Sequence, residues 1–269
     1  MSFTFGPLLV LPIPPPITLT NISISLLPTL PPSLTSCFYL DQLPAGRYVP
    51  GLLARPWHDQ NQSGSPAAEL APAMHAMEAQ HASLTAEFRA LQATGITADN
   101  IQNECLHVGA GWYYVAVAGK HAILPDHASG CHPQTPVACA LARELDSLDA
   151  GFVRLGYSEV LPGTHIQPHW GPTNTLLKVH LGLIVPSLPT GVPCTSIRVG
   201  GEERVWAEGV SVLFDDSFQH SVWNNCTGTR VVLQAVFEHP GIRSMPSTTP
   251  SKDGSAAIQG QQGAFRSEL

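Results

Sequence analysis

Leu176–Val185 reads LLKVHLGLIV, and its alternation decides the fold. Successive side chains of an extended chain point to opposite sides. Leu177, Val179, Leu181, Leu183 and Val185 therefore share one face, a pure aliphatic stripe. Leu176, Lys178, His180, Gly182 and Ile184 share the other, which carries two polar side chains that are costly to bury without partners. Further short strands are predicted at Ser196–Val199, Arg204–Trp206, Val210–Phe214, His220–Trp223 and Arg230–Phe237. Gly200-Gly201 marks a tight hairpin turn among them. Strands this short and this regularly punctuated predict a sandwich or jelly roll rather than a βαβ sheet.

Upstream, Ala67–Ala93 has high helix propensity, with Met74, Met77, Leu84, Phe88 and Leu91 near helical spacing and Pro72 expected in its first turn. Trp112–Val117 (WYYVAV) is aromatic and β-branched, hence a strand. Val137–Leu148 reads as a short helix. The expected fold is mainly β with flanking helices, around a double-stranded β-helix (jelly-roll, cupin-like) core. A helical front part would span 45–150 and the jelly roll 151–242. Met1–Leu40 contains no Asp, Glu, Lys or Arg, and eight prolines fall between Pro7 and Pro32. Segment 1–44 is expected to be an irregular, disordered extension without the basic n-region of a secretion signal, and 243–269 a disordered tail.

Composition excludes several function classes. Lys+Arg number 13 against 20 Asp+Glu in 269 residues, a formal net charge of −7, so a general nucleic-acid binder is not expected. No apolar run reaches the ~20 residues of a membrane-spanning helix. Six cysteines are too few for a disulfide scaffold at this length.

Two segments carry chemistry: Gly156–Pro186 and Val210–Arg230. Each places a histidine at a strand edge, His169 and His220, which an early and a late strand of a jelly roll can bring together. Imidazoles suit Fe, Zn and Cu, and mononuclear iron oxygenases add a carboxylate two residues after the first histidine. That position is Gly171, so spacing alone leaves an incomplete triad.

The wording of these segments is more specific than the spacing. Pro162–Asn174 (PGTHIQPHWGPTN), Val179–Pro186 (VHLGLIVP), Trp206–Asn224 (WAEGVSVLFDDSFQHSVWN) and the arginine that follows resemble the aspartyl/asparaginyl β-hydroxylase family of Fe(II)- and 2-oxoglutarate-dependent oxygenases. Arg47–Asp59 (RYVPGLLARPWHD) resembles that family's opening segment more weakly. The resemblance implies two-histidine iron binding by His169 and His220, with glycine in the carboxylate position of the family too. It implies that Arg230 meets the distal carboxylate of 2-oxoglutarate, with Trp112, Ser158, Lys178 and His180 lining the same pocket. A guanidinium suits that contact because it forks onto a carboxylate through two parallel hydrogen bonds. Lys178 departs from the family's arginine and keeps the charge without the fork.

The implied reaction consumes 2-oxoglutarate and O2, releases succinate and CO2, and hydroxylates an Asp or Asn β-carbon in a protein or peptide, such as an EGF-like domain. Other readings stay open: a lipid or small amino-acid-derived substrate, a non-catalytic member that binds a ligand or partner, and a cupin-like metal or sugar binder. Asp215 and Asp216 are expected to position the turn before His220 rather than bind metal. Cys131 and Cys139 resemble a close pair that forms a disulfide in secretory members of the family, and reduced thiols are equally compatible with the sequence. Sequons at Asn21, Asn61 and Asn225 are read only in a secretory lumen, so cytoplasm and lumen both remain open.

Overall fold

The computed structural model describes residues 48–94, 99–100, 106–119 and 130–245. Segment 1–44 and the tail beyond Met245 lie outside the described residues. Three helices precede the main run of strands: α1 (Pro66–Ala79), α2 (His81–Ala93) and α3 (Pro136–Ser147). Strands β1 (Asp99–Asn100), β2 (His107–Val108) and β3 (Trp112–Gly119) fall between α2 and α3. After α3 come β4 (Phe152–Val160), β5 (Thr164–His169), β6 (Leu176–Ile184), β7 (Thr195–Val199), β8 (Glu202–Arg204), β9 (Ser211–Phe214), β10 (His220–Asn224) and β11 (Arg230–Glu238). A short α4 (Pro240–Arg243) closes the described chain. The strands form two sheets, β1-β3-β4-β11-β6-β9 and β2-β5-β10-β7-β8, and every named pairing is antiparallel.

The aliphatic stripe of β6 explains the layering. Leu177, Val179, Leu181 and Leu183 pack with Leu155 and Tyr157 of β4, Val231, Leu233 and Phe237 of β11, and the apolar faces of the three main helices. The opposite face of the same strands looks toward the small sheet, across a second core of Val160, Ile166, Ile197, Val199, Phe214, Val222 and Val232. β11 is covered on both sides, so Arg230 through Phe237 are all buried. Burying each such aliphatic side chain stabilises the fold by roughly 1.5–3 kcal/mol.

Sequence and structure differ in several places, among them the end of β6, where a register shift against β11 packs Ile184 with the helix-side core and Val185 with the inner one, the reverse of strict alternation. The helix expected over Ala67–Ala93 is two helices that break at Gln80, which lets both present apolar faces to the large sheet. Pro72 lies inside α1, not in its first turn, because Ser65-Pro66 is the stronger start: Ser65 Oγ accepts the Ala67 N–H at 3.2 Å and Pro66 opens the helix. The strand expected at Arg204–Trp206 is Glu202–Arg204, since the hairpin at Gly200-Gly201 zips from Val199–Glu202 outward. Trp206 is freed to bury itself inside the sandwich.

Cys131 and Cys139 are disulfide-bonded, and so are Cys194 and Cys226, a pair the sequence did not suggest. The second bond ties the β6–β7 connection to the β10–β11 turn and closes a loop worth roughly 3–4 kcal/mol on the chain-entropy account. No helix among the described residues is long and apolar enough to cross a membrane.

Glu87 joins the helical layer to the sheet. Thr135 makes no side-chain cap for α3. Glu87 instead accepts the N–H of Val137 at 2.5 Å and of Ala138 at 3.0 Å, and the Tyr157 hydroxyl at 2.7 Å. A carboxylate at a helix N-terminus also meets the positive end of the dipole. Glu87→Ala leaves those three donors buried and unpaired and is expected to cost about 3 kcal/mol. An unchanged urea midpoint in that variant would contradict the linkage.

Candidate metal and carboxylate site

β5 and β10 are neighbours in the small sheet, and His169 pairs directly with His220. Their ring centroids lie 4.0 Å apart. The pairing steps from Val222–Ile166 to His220–His169, so β5 carries one extra residue there. Such a bulge turns the following side chain to the other face. It is why His169 points inward, as Ile166 does, although the two are three positions apart and strict alternation would put them on opposite faces.

Each ring is fixed through Nδ1, which donates to a carbonyl two residues back: Gln167 O at 2.7 Å for His169 and Phe218 O at 3.0 Å for His220. This tautomer, assigned from the bonding, leaves both Nε2 lone pairs available as metal donors. Burial lowers the His169 pKa to about 4, partly opposed by its bond to Gln167, and burial with the neighbouring His169 pushes His220 well down. Both rings are neutral at neutral pH, the state a metal requires. Two inward imidazoles with free Nε2 atoms fit a divalent ion such as Fe(II) that draws its other ligands from small molecules.

The place of a third protein ligand is filled. A Cβ at Gly171 would lie 2.4 Å from Asp216 Cγ, so only glycine is admitted beside that carboxylate. Asp216 Oδ2 is held by Lys178 Nζ at 2.9 Å, and its carbonyl accepts the Gly171 N–H at 2.6 Å. Asp215 Oδ1 accepts the Ser217 N–H at 2.9 Å, and burial pushes its carboxyl up to about 6. Among the described residues no group of three or more His, Cys, Asp and Glu side chains is arranged around a metal position.

The inner face of the large sheet carries a buried cation. Arg230 is 1% exposed and opens β11 on its inner face. Its Nη1 donates to Ser158 O at 3.4 Å, its guanidinium carbon lies 4.6 Å above the Trp206 ring, and its Nε has no partner. No carboxylate among the described residues pairs with it. Burial lowers its pKa to about 9, which leaves it charged at neutral pH. A buried, unpaired guanidinium costs several kcal/mol unless an anion arrives to meet it.

The remaining residues singled out in the sequence lie on the same inner faces. Trp112 Nε1 donates to Ser158 Oγ at 3.1 Å, and its ring centroid is 6.3 Å from that of His169. His180 Nε2 meets Gln234 Oε1 of its cross-strand partner at 3.1 Å, while its Nδ1 is buried without a partner. Lys178 is mostly buried and committed to Asp216. Sequence reasoning missed Trp206 and Gln234. Gln234 was findable, since Arg230, Val232 and Gln234 share one face of β11 by alternation. Trp206 was not, because it follows its strand.

Comparison with known proteins agrees with this geometry. Residues 78–240 match the family described as aspartyl/asparaginyl beta-hydroxylase. The chain is 36% identical over 118 residues to the aspartyl/asparaginyl beta-hydroxylase of Mus musculus, covering 42% of this chain and 15% of that protein. It is 36% identical over 141 residues to aspartate beta-hydroxylase domain-containing protein 1 of Mus musculus, covering 49% and 38%. Over 90 residues it is 40% identical to an ornithine lipid ester-linked acyl 2-hydroxylase of Rhizobium tropici, covering 34% and 31%. The chain thus spans well under half the length of each of these relatives.

The buried histidines make a pH prediction for the metal-free protein. His58 is also lowered to about 4, by burial and then by His239, and neither of its ring nitrogens has a partner. The unfolded chain takes up protons near pH 6.5, which the folded rings refuse until about pH 4. Stability from these groups is complete above pH 6.5 and is lost as pH falls toward 4. Thermal melts in chelator are expected to show a clear fall between pH 7 and pH 5. A flat profile across that window would contradict the assigned neutral rings.

Proposed function

The chain belongs to the aspartyl/asparaginyl beta-hydroxylase family, and from that premise we propose that it is an Fe(II)- and 2-oxoglutarate-dependent dioxygenase that hydroxylates the β-carbon of an Asp or Asn residue in a protein or peptide. The observation that carries this reading is the opposition of two features within one sandwich. One is a pair of neutral inward imidazoles, and the other is a fully buried guanidinium with no carboxylate of its own.

In this reading His169 and His220 would hold the iron through Nε2. When bound, the metal with 2-oxoglutarate and O2 would supply the oxidising chemistry. The protein supplies placement. Arg230 takes the distal carboxylate of 2-oxoglutarate, braced by the Trp206 face and the Ser158 carbonyl. Trp112 holds the Ser158 hydroxyl at the edge of that pocket, and His180, oriented by Gln234, offers Nδ1 toward the same space. Lys178 keeps Asp216 against Gly171, so the carboxylate stays salt-bridged rather than swinging onto the metal. Its charge still lies close enough to disfavour protonation of His169, His180 and His220.

A peptide substrate is favoured by the longest stretches of similarity, which run along proteins named for aspartate β-hydroxylation. The acyl hydroxylase relative supports a lipid as the second reading. The test is to incubate the protein with Fe(II), 2-oxoglutarate, O2 and either a disulfide-bonded EGF-like peptide or an ornithine lipid, following succinate and a 16 Da mass gain. The expected result is a gain on the peptide Asp or Asn that falls at least 100-fold in His169→Ala. Succinate production that survives in His169→Ala would overturn the ligand assignment, and a gain on the lipid alone would overturn the substrate.

A further inference from the structure

Two of the three sequons fall on described residues, and Asn21 lies outside them. Asn61-Gln62-Ser63 sits in the turn before α1, with Asn61 and Ser63 exposed. Asn225-Cys226-Thr227 sits in the β10–β11 turn, with Asn225 and Thr227 exposed. In each turn a neighbour carries the structural hydrogen bonds. Gln62 Nε2 donates to Asp59 Oδ2 at 3.1 Å, and Asn224 Nδ2 donates to Val160 O at 2.8 Å and Gly228 O at 3.0 Å. The acceptor asparagines themselves are spared for solvent.

A sequon is read only where the chain meets a glycan-transferring enzyme, and the cysteines bear on whether it does. All four described cysteines are paired, as Cys131–Cys139 and Cys194–Cys226. Each pair has a buried member, Cys139 at 5% and Cys226 at 4% exposure. Buried pairs of this kind are structural bonds rather than exposed exchange sites. Such bonds persist in an oxidising lumen and are rare where thiols are kept reduced. Exposed sequons and closed disulfides are unrelated features of the chain, and both belong to the same compartment.

At the second sequon the two features share a residue, since Cys226 is its middle position. The Asn225 N–H donates to Cys194 O at 2.8 Å, and the Cys226 N–H donates to Asn224 Oδ1 at 3.1 Å. With the disulfide closed, the backbone of this sequon is held at two consecutive residues and its centre is buried. A transferring enzyme has to close around the acceptor tripeptide, backbone included, so an exposed asparagine alone does not suffice. The turn at Asn61 is tied by neither described disulfide.

We propose that Asn61 and Asn225 are N-glycosylated in an oxidising lumen, and that transfer to Asn225 competes with closure of the Cys194–Cys226 bond and precedes it. In the transfer, Asn Nδ2 attacks the anomeric carbon of a lipid-linked oligosaccharide pyrophosphate. A carbon–nitrogen bond forms, the bond from that carbon to the phosphate oxygen breaks, the lipid pyrophosphate leaves, and the enzyme's base takes one Nδ2 proton. Disulfide closure then passes two electrons and two protons to the lumen's disulfide carriers. Neither step depends on the oxygenase reading. Asn225 lies beyond the end of β10 opposite His220, roughly 17 Å along the strand, so a glycan there leaves the histidine end uncovered.

The test directs the full chain into the lumen of a cultured eukaryotic cell with a cleavable leader. Glycans are removed enzymatically in heavy-oxygen water, which leaves each modified asparagine as an aspartate about 3 Da heavier. Occupancy is read by peptide mass on the total chain, folded or not. Sugar is expected at both sites, partial at Asn225, and Thr227→Ala is expected to remove it from Asn225 alone. Dithiothreitol during synthesis, which delays the bond, and Cys194→Ser, which cannot form it, are each expected to raise occupancy at Asn225 about twofold or more without changing Asn61. A bare Asn225 or Asn61 under every condition, or sugar at Asn225 that survives Thr227→Ala, would overturn the acceptor assignment. Occupancy at Asn225 that ignores both treatments, or an equal rise at Asn61, would overturn the competition with the disulfide. In protein drawn from its own cells and alkylated before reduction, Cys194 and Cys226 are expected to be blocked and Asn225 modified. Free thiols or a bare Asn225 there would overturn the lumenal assignment.

Discussion

A guanidinium buried to 1% exposure, with no carboxylate of its own, is the constraint around which the sandwich is organised. Placing Arg230 there requires that water be excluded from both faces of β11. The helical layer covers one face through Val231, Leu233 and Phe237, and the small sheet covers the other. It also requires partial compensation, which the Trp206 face and the Ser158 carbonyl supply without neutralising the charge. A fold selected only for stability would replace such a cation with an apolar side chain. In the proposed reading, an anion that comes and goes supplies the missing partner.

The opposite side of the site is organised by a second electrostatic arrangement. Lys178, Asp216 and Gly171 form a unit in which the lysine holds the carboxylate and the carboxylate fills the space a side chain at 171 would need. The apparent defect in the metal motif, a glycine where a carboxylate ligand is common, thus has a local steric cause. The carboxylate is present, but it belongs to another loop and is already salt-bridged.

Much of this was legible in the sequence, and the reasons are physical. The period of two in Leu176–Val185 separated the helix-facing stripe from the polar inner face, and the structure keeps that division from Leu177 to Leu183, after which Ile184 packs with the helix-side core and Val185 with the inner one. The motif words around His169 and His220 identified the strands that meet. What could not be read depended on departures from regular period. The bulge before His169 reverses which side that strand presents. The break at Gln80 and the start at Ser65-Pro66 reflect how two helices fit one curved sheet, which propensity summed over Ala67–Ala93 does not register. Trp206 reaches the guanidinium from a loop, so alternation offers no guide to it. Tyr114 and Gly156 are 42 residues apart in sequence, and only the pairing of β3 with β4 brings the phenol over the glycine.

The central claim is that the histidine pair and Arg230 bind one co-substrate between them. The most direct measurement is an anaerobic titration of 2-oxoglutarate into the Fe(II)-loaded protein, following the weak visible charge-transfer band of the metal chelate. The account predicts a saturable band whose midpoint moves to about 30-fold or more higher 2-oxoglutarate in Arg230→Met, the loss expected for a charged hydrogen-bonding partner. No band in the folded, iron-supplied protein, or an unmoved midpoint in Arg230→Met, would contradict it.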